Sequence, residues 1–500
     1  MTLSSGQLQA IRAAIAGIPA DVSNDAVGQH VARIDDIYAP ETHAAALDPS
    51  APIVLGARGT SKSFWSGVLG QQATRAEAAL AYPQLRLAQI EVRFGYTGIG
   101  GPDGIDADAL DAAVPPDASI VDAKAFWWAT ILGAAEGVRP KHLLGQAHDP
   151  EQREDLLIAH EQRLRAEGKV LLVVYDALDT LARSWPRRRL LTGALLEVVW
   201  AMRAYRAIRL KLFLRPDQLE DDALRFVELP KLKAGAVRLE WSARDLYGLL
   251  YARLAMTEDQ RARTAFKQAL AKLGLKAVDR RRVLARRWSL ATEPQDQERL
   301  MALLAGRYMG KGAYAYKKGR TYRWPIAHLA DAFNEVTPRS FLRMMIAAAK
   351  HGPPPENLVI TPDGIRHGLR AASQTRVDQL HYEFPWIKGV LAPIAGLLLP
   401  KHEEEVFQVW QTAGTIRRLR EEVEQGRYLS PFADDDGGSP RALFEALERI
   451  GVMFRRGDDR LDMPDLFRVA ARFVVAGSQI TSGLRRPARS WRRKSLPRTT

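Results

Sequence analysis

Short apolar runs alternate with longer stretches of helical periodicity through the first half of this chain. The runs are "PIVLG" (52–56), "AQIEVRF" (88–94), "KVLLVVYDALD" (169–179), "IRLKLFLR" (208–215) and "AVRLEW" (236–241). Continuous apolar runs such as "VLLVV" suit strands covered on both faces. Helical segments separate them: one from about Lys62 toward Tyr82, the aromatic "AKAFWWATILGAAE" (123–136), "LLTGALLEVVWAMRAYRA", and "SARDLYGLLYARL" after the fifth run. Strands alternating with helices predict an α/β fold with a parallel sheet and crossover helices.

From about residue 256 the strand signal fades and the pattern to 350 is helical. "GPPPEN" (352–357) breaks it, and further helices follow. The acidic, glycine-rich "FADDDGGSP" (432–440) reads as a linker or turn. Beyond it, "RALFEALERIGVMFRRGDDRLDMPDLFRVA" (441–470) reads as a helix, two short strands around "RGDD", and a new helix starting near Pro464 and Asp465. That order predicts a winged-helix-like unit with Arg455 and Arg456 near the wing tip. No internal repeat is visible.

Composition narrows the chemistry. The chain has 500 residues and no cysteine, which removes disulfides, thiolate metal sites and cysteine nucleophiles. The absence of cysteine fits a reducing, cytoplasmic setting, and no signal-peptide pattern opens the chain. The longest apolar run, "WIKGVLAPIAGLLLP" (386–400), falls short of the ~20 residues a spanning helix needs, so no membrane partner is expected. The net charge is +14, but seven basic residues lie in "LRRPARSWRRKSLPRTT" (484–500). This tail reads either as a disordered arm that touches phosphates or as a solvated terminus.

The chemistry sits after the first run. In "IVLGARGTSKSFW" (53–65) a buried strand leads into a turn bearing Gly56 and Gly59, then Lys62 and Ser63. Such a loop aims backbone N–H groups at phosphates, and the following helix adds its positive N-terminus. Lysine reaches the outer phosphates and the hydroxyl binds magnesium. The expected cradle is Gly56, Arg58, Gly59, Thr60, Ser61, Lys62 and Ser63. Ser61 stands where the P-loop pattern asks for glycine, and a left-handed conformation there would cost roughly 1–2 kcal/mol. Two further groups fall at strand ends, where open parallel sheets bind ligands. Asp176 closes the third run, in the place of a magnesium-holding carboxylate, with Asp179 three residues on. Arg215 closes the fourth, placed to meet a terminal phosphate.

The order "GARGTSKSFW", "LLVVYDALD", "LKLFLRPD", "VRLEWSARDLYGLL" resembles the STAND and KAP branch of P-loop ATPases, over about residues 28–255. That resemblance implies a signalling ATPase, often of bacterial conflict or antiphage systems, using ATP and Mg²⁺. It implies phosphate binding by Lys62 and Ser63, metal binding by Ser63 and Asp176, and catalytic parts for Asp179 and Arg215. Ser61 departs from the family pattern, and no glutamate follows Asp176 directly, so hydrolysis and the choice of ATP over GTP stay open.

The expected organisation is a helical lead-in (1–27), a P-loop NTPase core (28–255), a helical lid (256–350), a helical region (351–435), a winged-helix-like unit (436–480) and a basic tail (481–500). The leading expectation is an ATP-binding switch read by a partner or effector chain, with oligomer formation open. The alternatives are a nucleic-acid-binding ATPase using the winged helix and tail, and a non-hydrolysing scaffold. "YKKGRTYRW" (316–324) reads as an exposed turn or hairpin around Gly319, or else as a base-stacking surface. "RRR" (187–189), "DRRRVLARRW" (279–288) and "KHEEE" (401–405) read as solvated helix faces. No zinc-ligand spacing or nucleophile elbow is present.

Overall fold

The computed structural model describes residues 3–19, 33–101, 104–182, 184–219, 224, 226–432 and 438–471. The basic tail and residues 433–437 of the acidic run lie outside the described residues. All five apolar runs are strands: β1 (Ile53–Leu55), β2 (Ile90–Tyr96), β3 (Val170–Tyr175), β4 (Ile208–Leu214) and β5 (Val237–Arg238). They form one parallel sheet in the order β2-β3-β4-β1-β5. The strand that feeds the glycine loop is therefore separated from β3 by β4.

Period-two alternation sorts the strand side chains onto two buried faces. Leu171, Val173, Tyr175, Leu212 and Leu214 pack with the aromatic helix Ile120–Glu136 and the helix Trp185–Ala201. Val54, Leu172, Val174 and Phe213 face the other way, onto Phe64, Trp65 and Val68 of the helix Lys62–Gly70. β1, β3 and most of β4 are buried on both faces, whereas Glu91 and Arg93 of the edge strand β2 reach solvent. One charged residue, Lys211 on β4, lies inside. It is fully buried, and its ammonium donates to the carbonyls of Ala46, Asp48 and Ala51 at 2.7, 2.8 and 2.7 Å. It thereby fastens the segment before β1 to the sheet.

The helix expected to run to Tyr82 is two helices, Lys62–Gly70 and Gln72–Ala81, parted by an extended Gln71. Gly70 stands against the Phe94 ring where a Cβ would have no room, and glycine propagates a helix poorly.

A second, helical core holds the rest. The N-terminal helix Ser5–Ala16, the helices Ala243–Ala255, Pro338–Lys350 and Pro362–Glu383, and the C-terminal elements share one continuous apolar cluster. At its far end the hairpin β6 (Phe454–Arg455) and β7 (Leu461–Asp462) is antiparallel, as expected from "RGDD". Lys401 and Leu461 exchange backbone hydrogen bonds of 3.0 and 2.7 Å, an isolated antiparallel bridge beside the hairpin. The helices Glu403–Thr412, Thr415–Glu424 and Pro440–Arg449 surround it.

The tertiary structure decides three surface expectations. The 316–324 segment is a single 3-10 turn, Ala315–Lys318, closed by one antiparallel bridge between Tyr308 and Arg320. Its Tyr314 and Tyr316 are exposed, whereas Tyr322 is buried and stacked 4.2 Å from Tyr247. Arg286 of the 279–288 run is not solvated; it pairs with the buried Asp245 at 3.2 Å. Arg188 of "RRR" donates to the Asp179 carbonyl at 2.9 Å. Among the described residues no helix is long and apolar enough to cross a membrane.

Candidate functional site

The glycine loop joins β1 to the helix Lys62–Gly70 at the carboxyl edge of the sheet. Gly56 is required there: a Cβ would strike the Thr60 hydroxyl and crowd the Lys62 stem. Gly59 has φ +85°, the left-handed region. Ser61 also has φ 84° and ψ 24°, immediately before the helix begins. The backbone therefore takes the turn that glycine would favour, with serine bearing the strain. Ala177, the residue after Asp176, is a second non-glycine residue with positive φ (54°). Strain of this kind on both sides of one cleft is typical of functional sites.

Four hydrogen bonds hold the loop in shape. The Thr60 hydroxyl donates to the Ala57 carbonyl at 2.8 Å, and Trp241 Nε1 donates to the Thr60 carbonyl at 3.1 Å. Lys62 Nζ donates to the Gly56 carbonyl at 2.6 Å and also reaches Ala57 at 3.1 Å. Burial lowers the Lys62 pKa, while the carboxylates of Glu383, Asp179 and Asp176 support its charge.

Asp176 is buried at the end of β3. Its Oδ1 accepts from the Ala177 N–H at 2.8 Å, and its Oδ2 is buried with no hydrogen-bond partner among the described residues. Burial raises its pKa, and the nearby Lys62 ammonium and Ser63 hydroxyl pull it back down. A buried carboxylate oxygen left unpaired beside a serine hydroxyl and a lysine fits a hard divalent cation. Magnesium needs only one or two protein ligands when phosphates and water complete its shell.

Arg215 leaves β4 into the same cleft. It pairs with Asp217 at 3.0 Å, Asp179 at 3.6 Å and Glu383 at 3.7 Å. Burial opposes its charge, but Asp217, Glu383 and Asp179 outweigh that and raise its pKa. Burial would raise the Asp179 carboxyl in turn, yet Arg215 and Lys62 hold it below its ordinary value. All the residues expected at the site, separated by up to 160 positions, thus converge on one strand-end cleft.

The helical core supplies groups that no local pattern announced. Glu383 pairs with Arg58 at 3.4 Å. Arg376 donates to the Arg58 carbonyl at 2.8 Å. Thr337, which caps the helix Pro338–Lys350, lies against Gly59. On the other side of Ser61, an apolar pocket is lined by Tyr38, Phe64, Trp241, Leu249 and Leu342. Its rim carries the Arg253–Asp36 pair at 2.6 Å. Trp241, Thr337, Arg376 and Glu383 lie some 180 to 325 residues along the chain from the loop they meet and carry no motif of their own.

No protein-family model and no curated protein matches the chain. Solved structures aligned over most of its length include the ORC2 protein of Aeropyrum pernix in ADPNP–ADP complexes, 13% identical over 90% of this chain and 99% of that one, with a TM-score of 0.40. Another is the Walker-type ATPase of Pyrococcus abyssi, 12% identical over 88% of this chain and 100% of that one, with a TM-score of 0.34. A third is Cdc6p of Pyrobaculum aerophilum, 11% identical over 87% of this chain and 88% of that one, with a TM-score of 0.25. The sheet order of this chain, its glycine loop leading into a helix, and the carboxylate at the end of β3 make it a P-loop NTPase fold.

Proposed function

We propose that this protein is an ATP–magnesium-binding switch of the STAND/KAP type, in which nucleotide at the loop sets the posture of the helical half. The observation that carries this is the loop backbone: Ser61 holds the left-handed turn in place of glycine, with Lys62, Ser63 and Asp176 converging on it. Backbone N–H groups and Lys62 would receive the phosphates, and Ser63 with Asp176 would hold Mg²⁺, which supplies charge neutralisation at the outer phosphates.

Hydrolysis in this reading falls to Asp179 and Arg215. Asp179, kept ionised by Arg215 and Lys62, would orient a water, and Arg215 would meet charge developing on the terminal phosphate. The helices Pro338–Lys350 and Pro362–Glu383 act as the lid, since both touch the loop. They share their core with the C-terminal hairpin unit, which we read as a winged helix. His328 pairs with Asp465 at 3.0 Å, and Trp185 Nε1 donates to the Ser430 carbonyl at 3.1 Å. The His328–Asp465 contact supports a packing role for that unit. Arg455 pairs with Glu403 and Arg456 with Asp462, so the hairpin arginines are engaged within the chain, which favours packing over nucleic-acid binding. A partner chain would read the resulting posture, in defence signalling or elsewhere.

The test is the melting temperature with and without ATP–Mg²⁺ on wild type, Lys62→Ala and Ser61→Gly. Ligand at 100 times its Kd adds about 2.7 kcal/mol of stability. A shift in wild type that vanishes in Lys62→Ala supports the site. A shift seen only in Ser61→Gly makes the natural chain a scaffold disabled at one residue, and no shift in any of the three sinks the reading.

A further inference from the structure

The cations at the phosphate end of the loop face a carboxylate that belongs to the chain itself. Glu383 is the last residue of the lid helix Pro362–Glu383. Its Oε1 lies 3.4 Å from Arg58 Nη1 and 3.7 Å from Arg215 Nη1, and its side chain is 7% exposed. Of the acidic groups around Lys62, Glu383 gives the ammonium its largest electrostatic support. Arg58 lies in the loop, Arg215 ends β4 and Lys62 opens the loop helix. All three are therefore presented by the nucleotide side of the cleft, and the anion they share comes from the lid.

The same arginines hold the rest of the helix end. Arg58 Nη1 donates to the Gln379 carbonyl at 3.5 Å, and the Arg215 guanidinium lies 5.4 Å from the Phe384 ring centre. Removing Arg58 and Arg215 from Glu383 would leave a buried carboxylate without its partners, an arrangement that costs several kcal/mol unless the group moves to water. The cheapest movement is at the helix end, since Tyr382 beside it is already exposed.

We propose that Glu383 is an internal competitor for the terminal phosphate of a nucleoside triphosphate, released with the last turn of the lid helix when that phosphate takes Arg58 and Arg215. The proposal rests on the nucleotide-binding reading above. A diphosphate lacks the group that reaches these arginines and leaves the contact in place. The device would therefore distinguish triphosphate from diphosphate and pass the difference to the helix Ile387–Ile394, which follows Phe384 in the chain.

Equilibrium binding of a non-hydrolysable ATP analogue and of ADP, each with Mg²⁺, to the full chain tests this in wild type and Glu383→Gln. The analogue should bind the variant about 5- to 150-fold tighter, the range of ordinary site–site coupling, while ADP changes by less than about twofold. Wild type that binds the analogue as tightly as the variant, or tighter, overturns the competitor and leaves the nucleotide site standing. Binding by neither protein overturns both. The non-hydrolysable analogue separates this role from that of a catalytic base, whose loss slows turnover without tightening the analogue. Hydrogen exchange on wild type gives an answer that needs no variant. Amides of residues 379–384 should lose protection with the analogue and keep it with ADP; equal protection in the two complexes overturns the proposal.

Discussion

Arg376 of the lid helix donates to the Arg58 carbonyl of the loop at 2.8 Å, across a separation of 318 residues. The guanidinium is buried, 4.0 Å from the buried carboxylate of Asp331, which itself accepts from the N–H groups of Phe333 and Glu335. A chain of contacts thus runs from the end of one lid segment, through Arg376, to the turn that would cradle phosphate. Truncating one member of a buried pair costs about 3–5 kcal/mol, because the other is left uncompensated. Arg376→Ala should lose stability on that scale in denaturant unfolding. Adding Asp331→Asn should recover part of the loss; strict additivity of the two would show that they do not act as a pair.

Ser61 carries a conformation that glycine adopts freely. The left-handed region costs a non-glycine residue roughly 1–2 kcal/mol, and glycine's extra freedom in the unfolded chain gives back about 0.4–1 kcal/mol. Ser61→Gly should therefore raise stability without nucleotide by up to about 1.6 kcal/mol, the difference of those two effects. Ser61→Ala should not. The comparison needs only unfolding curves of the three proteins.

His43 sets an acid limit on the fold. Its Nδ1 accepts from Trp65 Nε1 at 2.9 Å and its Nε2 donates to the Glu240 carbonyl at 3.1 Å, so the ring is neutral and joins the loop helix to the segment after β5. Burial pushes its pKa down to about 3. The unfolded chain binds this proton near pH 6.5, so its contribution is complete above that value and is lost as pH falls toward 3. Stability measured between pH 7 and 5 should decline, and His43→Gln should flatten the decline while lowering stability at pH 7.

Glu335 slopes the other way. Burial and the adjacent Asp331 raise its pKa from 4.5 to about 7. The folded chain holds a proton that the unfolded chain has released, so its favourable contribution is complete below pH 4.5 and disappears as pH rises through 7. Glu335→Gln should raise stability at pH 8 relative to wild type and match it near pH 5. An equal effect at both pH values would mean that Glu335 stays ionised throughout.

Much of the core was legible because its information is local. Buried parallel strands need unbroken apolar runs, so the five strands could be read directly, each to within a few residues of its bounds. The loop could be read because phosphate-binding geometry needs glycines, a lysine and a hydroxyl at short, fixed spacing. The break at Gln71 has no local signal, since Gly70 before it packs against Phe94, which the chain brings alongside from another element. The contacts of Arg286 and Arg188 are equally illegible, because a charge run looks the same whether it meets water or a polar group of the fold.

The sequence by itself determined the strand order along the chain, the glycine loop, and the carboxylate and arginine that end β3 and β4. Each of these rests on residue types and short spacings that backbone physics demands. Only the tertiary structure decided that Ser61 takes the turn that glycine would, that Asp176 keeps a buried oxygen unpaired, and that Glu383 and Arg376 arrive from the lid. Those facts depend on which distant segments share a cleft. Long-range packing of two hydrophobic cores sets that, and no local pattern encodes it.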